Sequence, residues 1–404
     1  MNEPPKSNQN RKAENLLLEM IKINSENPDM NPDSLGESAL AMYVKRYLQG
    51  LSLETSLDHV LPARPNVYGL LRSTKPTKET LIFEMHMDTV PIDNCVKPCV
   101  KDGIIYGRGA CDTKGSLAAI LLALEQLVEM KDNLPINVFL MATVDEEYRY
   151  RGVLGAIDYL KKKSDLKAVG AVVGEPTQVK VITAHKACLR WKIRVHGKSG
   201  HSSDPNQGLN AIYIMAEIIH SLRTKWDIEL KQRKHPLLGY GTYNIGIIQG
   251  GKQINIIPDY CEIQLERRLI PGENEEQVLN SCDAVIRDVQ ELYPDAKIER
   301  LEPYLRDYTL DTDKTEPIIS NAIKAIHDVS GEDTSLNGVA YGTDASKLAQ
   351  LGGIPSIVLG PGNIEYAHTE HEKISTEQVL LASEVYKNII LNWSKEYTAG
   401  NLNL

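Results

Sequence analysis

Five short runs of this chain, at 66–71, 80–86, 136–144, 168–174 and 355–359, are apolar almost from end to end. A strand with one face in water alternates. A strand buried on both faces does not, and such burial marks a parallel sheet covered by helices. Helical patterns lie around and between the runs. Two are expected at 11–23 and 36–49. In a third, at 115–130, Leu117, Ile120, Leu121, Leu124, Leu127 and Val128 share a face, and a fourth is expected at 153–162. This alternation predicts an α/β domain with a mixed, largely parallel sheet.

The middle of the chain follows another rhythm. CLRWKIRV at 188–195 alternates, with Leu189, Trp191, Ile193 and Val195 on one side. A helix at 208–222, strands at 242–249 and 260–268, a helix at 274–292 and a strand at 297–301 follow. The order β-α-β-β-α-β describes a ferredoxin-like module. The strand at 355–359, with helices around 317–328 and 376–393, then resumes the first pattern. The expected organisation is an α/β domain in two parts, 1–184 and 303–404, interrupted by an inserted domain at 185–302.

Composition removes several classes of function. A formal charge of −9 without a long basic run disfavours nucleic acid and anionic membranes as partners. The longest apolar stretch, LAAILLAL at 117–124, falls far short of the ~20 residues of a membrane span. The opening MNEPPKSNQN is polar, lacks a signal core and is expected to be disordered. Six cysteines scattered over 404 residues do not suggest a disulfide framework, so a cytoplasmic location is expected. Cys95 and Cys99 have no second pair with which to form a zinc knuckle.

What the strands carry at their ends points to chemistry. LIFEMHMDTV (81–90) ends in His86 and Asp88, VFLMATVDEE in Asp145, Glu146 and Glu147, and AVGAVVGEP in Glu175. PSIVLGPGNIEYAH runs out into His368. Open α/β sheets bind ligands beyond the carboxyl ends of their strands. Asp112, in GRGACDTKG (107–115), falls at the expected N-cap of the 115–130 helix. Each residue alone has an ordinary reading, as a bonded core histidine, a cap or a solvated turn. Together they crowd carboxylates onto one edge, where repulsion is costly unless a cation neutralises it.

Two imidazoles and three carboxylates suit divalent zinc, and hold two ions if one carboxylate bridges. Cobalt and manganese suit the same donors; the imidazoles disfavour calcium. Asp88, two residues beyond His86 on the same face of an extended segment, is placed to accept the other ring N–H of that imidazole. In the doublet Glu146–Glu147 the side chains point to different sides, so one can bind metal while its neighbour serves as a base.

These segments, with GEPT, GKSGHSSDP, ERRLIPGE and GPGNIEYAH, resemble the co-catalytic zinc amidohydrolases. That family includes acetylornithine deacetylase, succinyl-diaminopimelate desuccinylase, aminoacylase and related carboxypeptidases. The resemblance runs in order from about residue 12 to about 393. It implies a catalytic α/β domain with an inserted lid domain that usually dimerises, hence a homodimer. It makes Asp112 the ligand bridging two divalent metal ions. His86 and Glu175 would complete one site, Glu147 and His368 the other. Glu146 would be the general base and Asp88 the partner of His86. His201 would reach a partner subunit's site and stabilise the oxyanion. Arg268 and Asn255 would contact the substrate carboxylate, with Gly342, Thr343 and Asp344 in a nearby loop.

The motifs around His201 and Arg268 look closest to the acetylornithine deacetylase branch, which implies a small N-acyl amino acid substrate. A desuccinylase, a dipeptidase or a metal-binding but inactive homologue are the alternatives. Arg149 and Arg151 in TVDEEYRYRG depart from the family pattern and would favour an acidic substrate group unless they point to solvent, the reading preferred here. His371 stands where an acidic residue is common and reads as a surface histidine. GRGACDTKG lacks the spacing of a phosphate-binding loop.

Overall fold

The computed structural model describes residues 8–394. It divides into two compact units. The first holds the described residues up to Thr183, Thr312–Asn337 and those from Thr343 onward; the second holds Ala184–Asp311 and Gly338–Gly342. Residues 303–311 and 338–342, expected in the returning part of the α/β domain, group with the second unit. One reason is local: Leu305–Arg306 pairs with the strand Ala187–His196.

In the first unit, strands run in the order Glu54–Leu61, Arg64–Leu71, Asn137–Thr143, Glu79–His86, Lys167–Val173 and Ser356–Val358. The last four are mutually parallel, and the first two are antiparallel additions at one edge. The apolar runs behave as their composition demands. Arg64–Leu71 and Asn137–Thr143 are buried at every position, and Glu79–His86 at all but its first. Glu54–Leu61 was not anticipated; as an edge strand it is mostly half-exposed and lacks an apolar signature.

Helices Asn8–Lys22, Lys114–Glu129, Pro317–Ser330 and Thr376–Leu391 contribute to one continuous apolar core with these strands. Lys114–Glu129 is buried on more than the expected face: every residue from Lys114 to Leu124 is inside. A helix apolar all round is a core helix, and this one packs against strand and helices together. The expected disorder of the first ten residues falls partly outside the described residues, and Asn8–Asn10 open the first helix.

In the second unit five strands form an antiparallel sheet, four in the order Thr242–Gly250, Tyr260–Leu269, Ala187–His196, Lys297–Arg300, with Leu305–Arg306 also pairing with Ala187–His196. Helices Ala211–Glu229 and Glu275–Leu292 each begin at an asparagine, Asn210 and Asn274, whose side chain accepts two backbone N–H groups of the first turn. Leu189, Trp191, Ile193 and Val195 all point into the core, where Trp191 packs edge-on against Trp226 with ring centroids 6.0 Å apart. All six cysteines are free thiols.

Candidate metal centre

Because Glu79–His86, Asn137–Thr143 and Lys167–Val173 are parallel neighbours, their carboxyl ends share one edge. His86 is the last residue of its strand, Glu146 and Glu147 follow the second, and Glu175 follows the third. Asp112 approaches from the loop before helix Lys114–Glu129, and His368 from the loop beyond Ser356–Val358.

Two groups of donors result, each with its ligand atoms within 4.8 Å of one another: His86, Asp112 and Glu175, and Asp112, Glu147 and His368. Asp112 belongs to both. Its Oδ1 lies 2.9 Å from His86 Nε2 and its Oδ2 lies 3.2 Å from His368 Nε2. His86 Nε2 is also 3.7 Å from Glu175 Oε1, and His368 Nε2 is 3.0 Å from Glu147 Oε1. His86, Asp112 and Glu175 are buried; His368 is exposed and takes a left-handed φ of 61°. Glu146 belongs to neither group.

The electrostatics are those of a cation site. Burial pushes the carboxyls of Glu175 and Glu146 well above the usual range, and neighbouring carboxylates push the same way, Asp112 on Glu175 and Asp344 on Glu146. Burial opposes charge on His86, but the hydrogen bond to Asp112 and the nearby Asp88 and Glu175 carboxylates outweigh it and raise its pKa well above normal. Hydrogen bonds to Asp112 and Glu147 push His368 up to about 11. Burial would raise Asp112, yet its two imidazole partners hold it low. Protons here stand where cations would neutralise the cluster. Two imidazoles and three carboxylates, one of them shared, fit two divalent ions of the zinc, cobalt or manganese type.

The structure changes two readings of these residues. Asp112 does not cap the helix. The N-cap is Thr113, whose hydroxyl donates to the His86 carbonyl, and the Asp112 carboxylate turns to the imidazoles. Asp88 does not hold His86 through its carboxylate, which stands 3.6 Å from Nδ1; that nitrogen is 2.9 Å from the Asp88 backbone carbonyl. The carboxylate instead accepts the backbone N–H groups of Glu146 (3.0 Å) and Glu147 (3.1 Å). A backbone oxygen thus orients the ligand imidazole, and a side chain fixes the turn that carries both glutamates.

The other expected residues lie as follows. Thr343 is fully buried, and its hydroxyl accepts the Ala345 N–H at the start of a short helix. Asp344 is buried with neither carboxylate oxygen hydrogen-bonded. In the second unit, Arg268 donates to Glu266 at 2.7 Å, and Asn255 is exposed. His201 is also exposed, its Nδ1 accepting the Ser203 N–H at 3.2 Å. Gly342 lies so close to Asp307 that an added Cβ would sit 2.0 Å from its carboxylate. His371 is exposed, and Arg149 is exposed with its guanidinium over the Tyr148 ring. Arg151 does not point freely to solvent; it pairs with Asp29 and Asp145.

Several supporting residues were missed. Glu372, fully buried, accepts from the backbone N–H groups of Cys111 and Asp112 and from Arg108. Arg64 grips Glu37 through two nitrogens and reaches Asp145 at 3.3 Å. Asn27 donates to both Asp88 and Asp145. The available signals were slight: a second acid four residues after His368, and an Asn-Pro turn at 27–28.

The sequence model of the peptidase family M20/M25/M40 matches residues 82–392. An acetylornithine deacetylase of Edwardsiella ictaluri is 34% identical over 350 residues, covering 83% of this chain and 85% of that protein. Another, of Pectobacterium atrosepticum, is 32% identical over 343 residues, covering 82% and 84%. The crystal structure of the aminopeptidase PepT from Bacillus cereus superimposes with a TM-score of 0.76 at 25% identity, covering 95% of this chain and 98% of that one. The chain belongs to peptidase family M20/M25/M40 and is a metal-dependent hydrolase of that family.

Proposed function

We propose that the chain is a two-metal amidohydrolase that removes an acyl group, acetyl in the first instance, from an N-acyl amino acid, with N-acetylornithine the leading substrate. The observation that carries this reading is Asp112, which offers one oxygen to each of two donor groups. The names of the relatives above favour the deacetylase branch; the likeness to an aminopeptidase keeps a peptide substrate as the alternative, and a succinyl amide is the other member of the panel.

In this reading His86, Asp112 and Glu175 hold one ion and Asp112, Glu147 and His368 the other. Divalent ions held there would lower the pKa of the attacking water from ~15.7 towards ~7 and would polarise the amide carbonyl. Glu146, free of either donor group and raised in pKa by burial, takes the proton of the attacking water and returns it to the leaving amine. Asp88 keeps that carboxylate in place by holding its backbone N–H. The second unit acts as a lid through which the protein forms a homodimer; its strand order supports only the ferredoxin-like part of that reading. His201 supplies an oxyanion contact from a partner subunit. Arg268, with Asn255 and the loop at Gly342 and Thr343, receives the substrate carboxylate; Glu266 presents the Arg268 guanidinium. A cytoplasmic location accords with six free thiols.

The test is amine release by protein stripped of metal and resupplied with zinc or cobalt, from N-acetylornithine, N-succinyl-diaminopimelate and a simple dipeptide. Metal-dependent turnover favouring N-acetylornithine supports the full reading. Turnover of another member moves the substrate and keeps the mechanism. Two bound ions with no turnover of any amide would refute the catalytic assignment and leave an inactive homologue.

A further inference from the structure

The carboxylate that holds the Glu146–Glu147 turn is itself held by one side chain. Asn27 is fully buried, and its Nδ2 donates to Asp88 Oδ2 at 2.8 Å and to Asp145 Oδ1 at 3.1 Å. Its other amide atom is also engaged: Oδ1 accepts the Asp29 N–H at 3.0 Å. The backbone around it is tied to the segment after His86. Asn27 N–H donates to the Thr89 carbonyl at 2.9 Å, and Thr89 N–H to the Ser25 carbonyl at 3.1 Å. Asn27 thus cannot slide, and its NH₂ group presents two hydrogens to two carboxylates on either side of the turn.

Each of those carboxylates fixes one end of the same short segment. Asp88 accepts the N–H groups of Glu146 and Glu147. Asp145, at a left-handed φ of 66°, begins the turn, and its carboxylate also pairs with Arg64 and Arg151. This arrangement sets where the Glu146 carboxyl can stand, because a glutamate whose backbone N–H is clamped has only its own rotamers left.

We infer that Asn27 is a positioning residue for Glu146, acting through the Asp88 carboxylate. The inference rests on the reading of Glu146 as the base. An amide is the group the geometry requires. A carboxylate at position 27 would meet two others without a hydrogen to give, and a cation would draw Asp88 away from the backbone amides it holds.

The test compares wild type with Asn27→Ala, each loaded with zinc. Three quantities are read: bound zinc, kcat and KM on the panel member that is turned over, and amide hydrogen exchange of the segment 144–149. The expected result is a kcat lower by ~10–100-fold, KM within about twofold, two zinc ions retained and clearly faster exchange of the Glu146–Glu147 amides. Unchanged exchange overturns the inference, as does faster exchange with unchanged kcat. A kcat loss that tracks zinc loss also overturns it, because Asn27 would then act through the ligands. If Asn27→Ala does not fold, Asn27→Ser serves: it keeps an acceptor for the Asp29 N–H and is too short to span both carboxylates. Glu146→Gln separates the two levels. Wild-type turnover in that variant would sink the base assignment, whereas the exchange result still reports whether Asn27 holds the turn.

Discussion

Glu372→Ala should be among the most damaging single substitutions in the first unit, although Glu372 belongs to neither donor group. Its Oε1 accepts the N–H groups of Cys111 and Asp112 at 2.9 and 3.0 Å, and its Oε2 accepts from Arg108 Nη1 at 2.7 Å. The glutamate is fully buried and the arginine nearly so. Removing one partner of a buried ion pair costs ~3–5 kcal/mol, and each stranded buried N–H ~1–3 kcal/mol. These do not sum. Arg108 keeps a bond from Nε to the Pro91 carbonyl, and water can enter the space left. Burial and the nearby Asp112 charge raise the Glu372 pKa, which trims the worth of its ionised form. The low end is therefore appropriate, about 3 kcal/mol against a typical total of ~5–15.

The same change frees the backbone beneath Asp112, so metal affinity should fall by ~10–100-fold. Urea unfolding of the metal-free protein, followed by far-ultraviolet circular dichroism, reads the first quantity. Zinc competition against a chelator reads the second. Glu372→Gln should fall between, because its carbonyl can still accept the two N–H groups while its NH₂ opposes Arg108. A Glu372→Ala protein that loses less than about 1 kcal/mol and binds zinc as tightly as wild type would refute the reasoning.

Three further outcomes are expected. Glu146→Gln should lower turnover by at least ~10²–10⁴-fold while two ions per chain remain bound; metal analysis and steady-state rates check both halves. Gly152→Ala should destabilise by ~3 kcal/mol or more and reduce activity, because the new Cβ would sit 2.0 Å from the Val144 carbonyl oxygen and push the helix Arg151–Lys161 off the glutamate turn; thermal melts and rates report it. In the second unit, burial opposes charge on Glu266 but Arg190 and Arg268 hold its pKa low. A depressed carboxyl stabilises above its unfolded value, ~4.3, and that contribution is lost as pH falls through the folded value. Wild type should therefore lose more stability than Glu266→Gln between about pH 5 and pH 3, measured by unfolding across that range.

What the sequence disclosed follows physical reach. Strands buried on both faces must be apolar throughout, so the runs ending at His86, Glu146 and Glu175 could be found and their ends aligned on one edge. The donor types were legible because carboxylates and imidazoles gathered at such an edge have few other uses. Side-chain direction was not. The distance of two residues between His86 and Asp88 allows either the carboxylate or the backbone carbonyl to meet Nδ1, and only the folded turn selects the carbonyl. Nor were Asn27, Arg64 and Glu372 legible, since their bonds to Asp88, Asp145 and Asp112 cross 61, 81 and 260 residues. The edge strand Glu54–Leu61 escaped because a half-exposed strand carries no apolar run.

The donors are split by the second unit along the chain: His86, Asp112, Glu147 and Glu175 precede it and His368 follows it. A ribosome adding ~5–20 residues per second needs roughly 10–40 s to travel from Glu175 to His368. During that interval the nascent protein carries one complete donor trio and the two acidic donors of the other. Glu372, which fastens the Asp112 loop, arrives only four residues after His368. The sheet and core that hold the earlier donors also need Ser356–Val358, Pro317–Ser330 and Thr376–Leu391, so the centre can close only once those segments have been made.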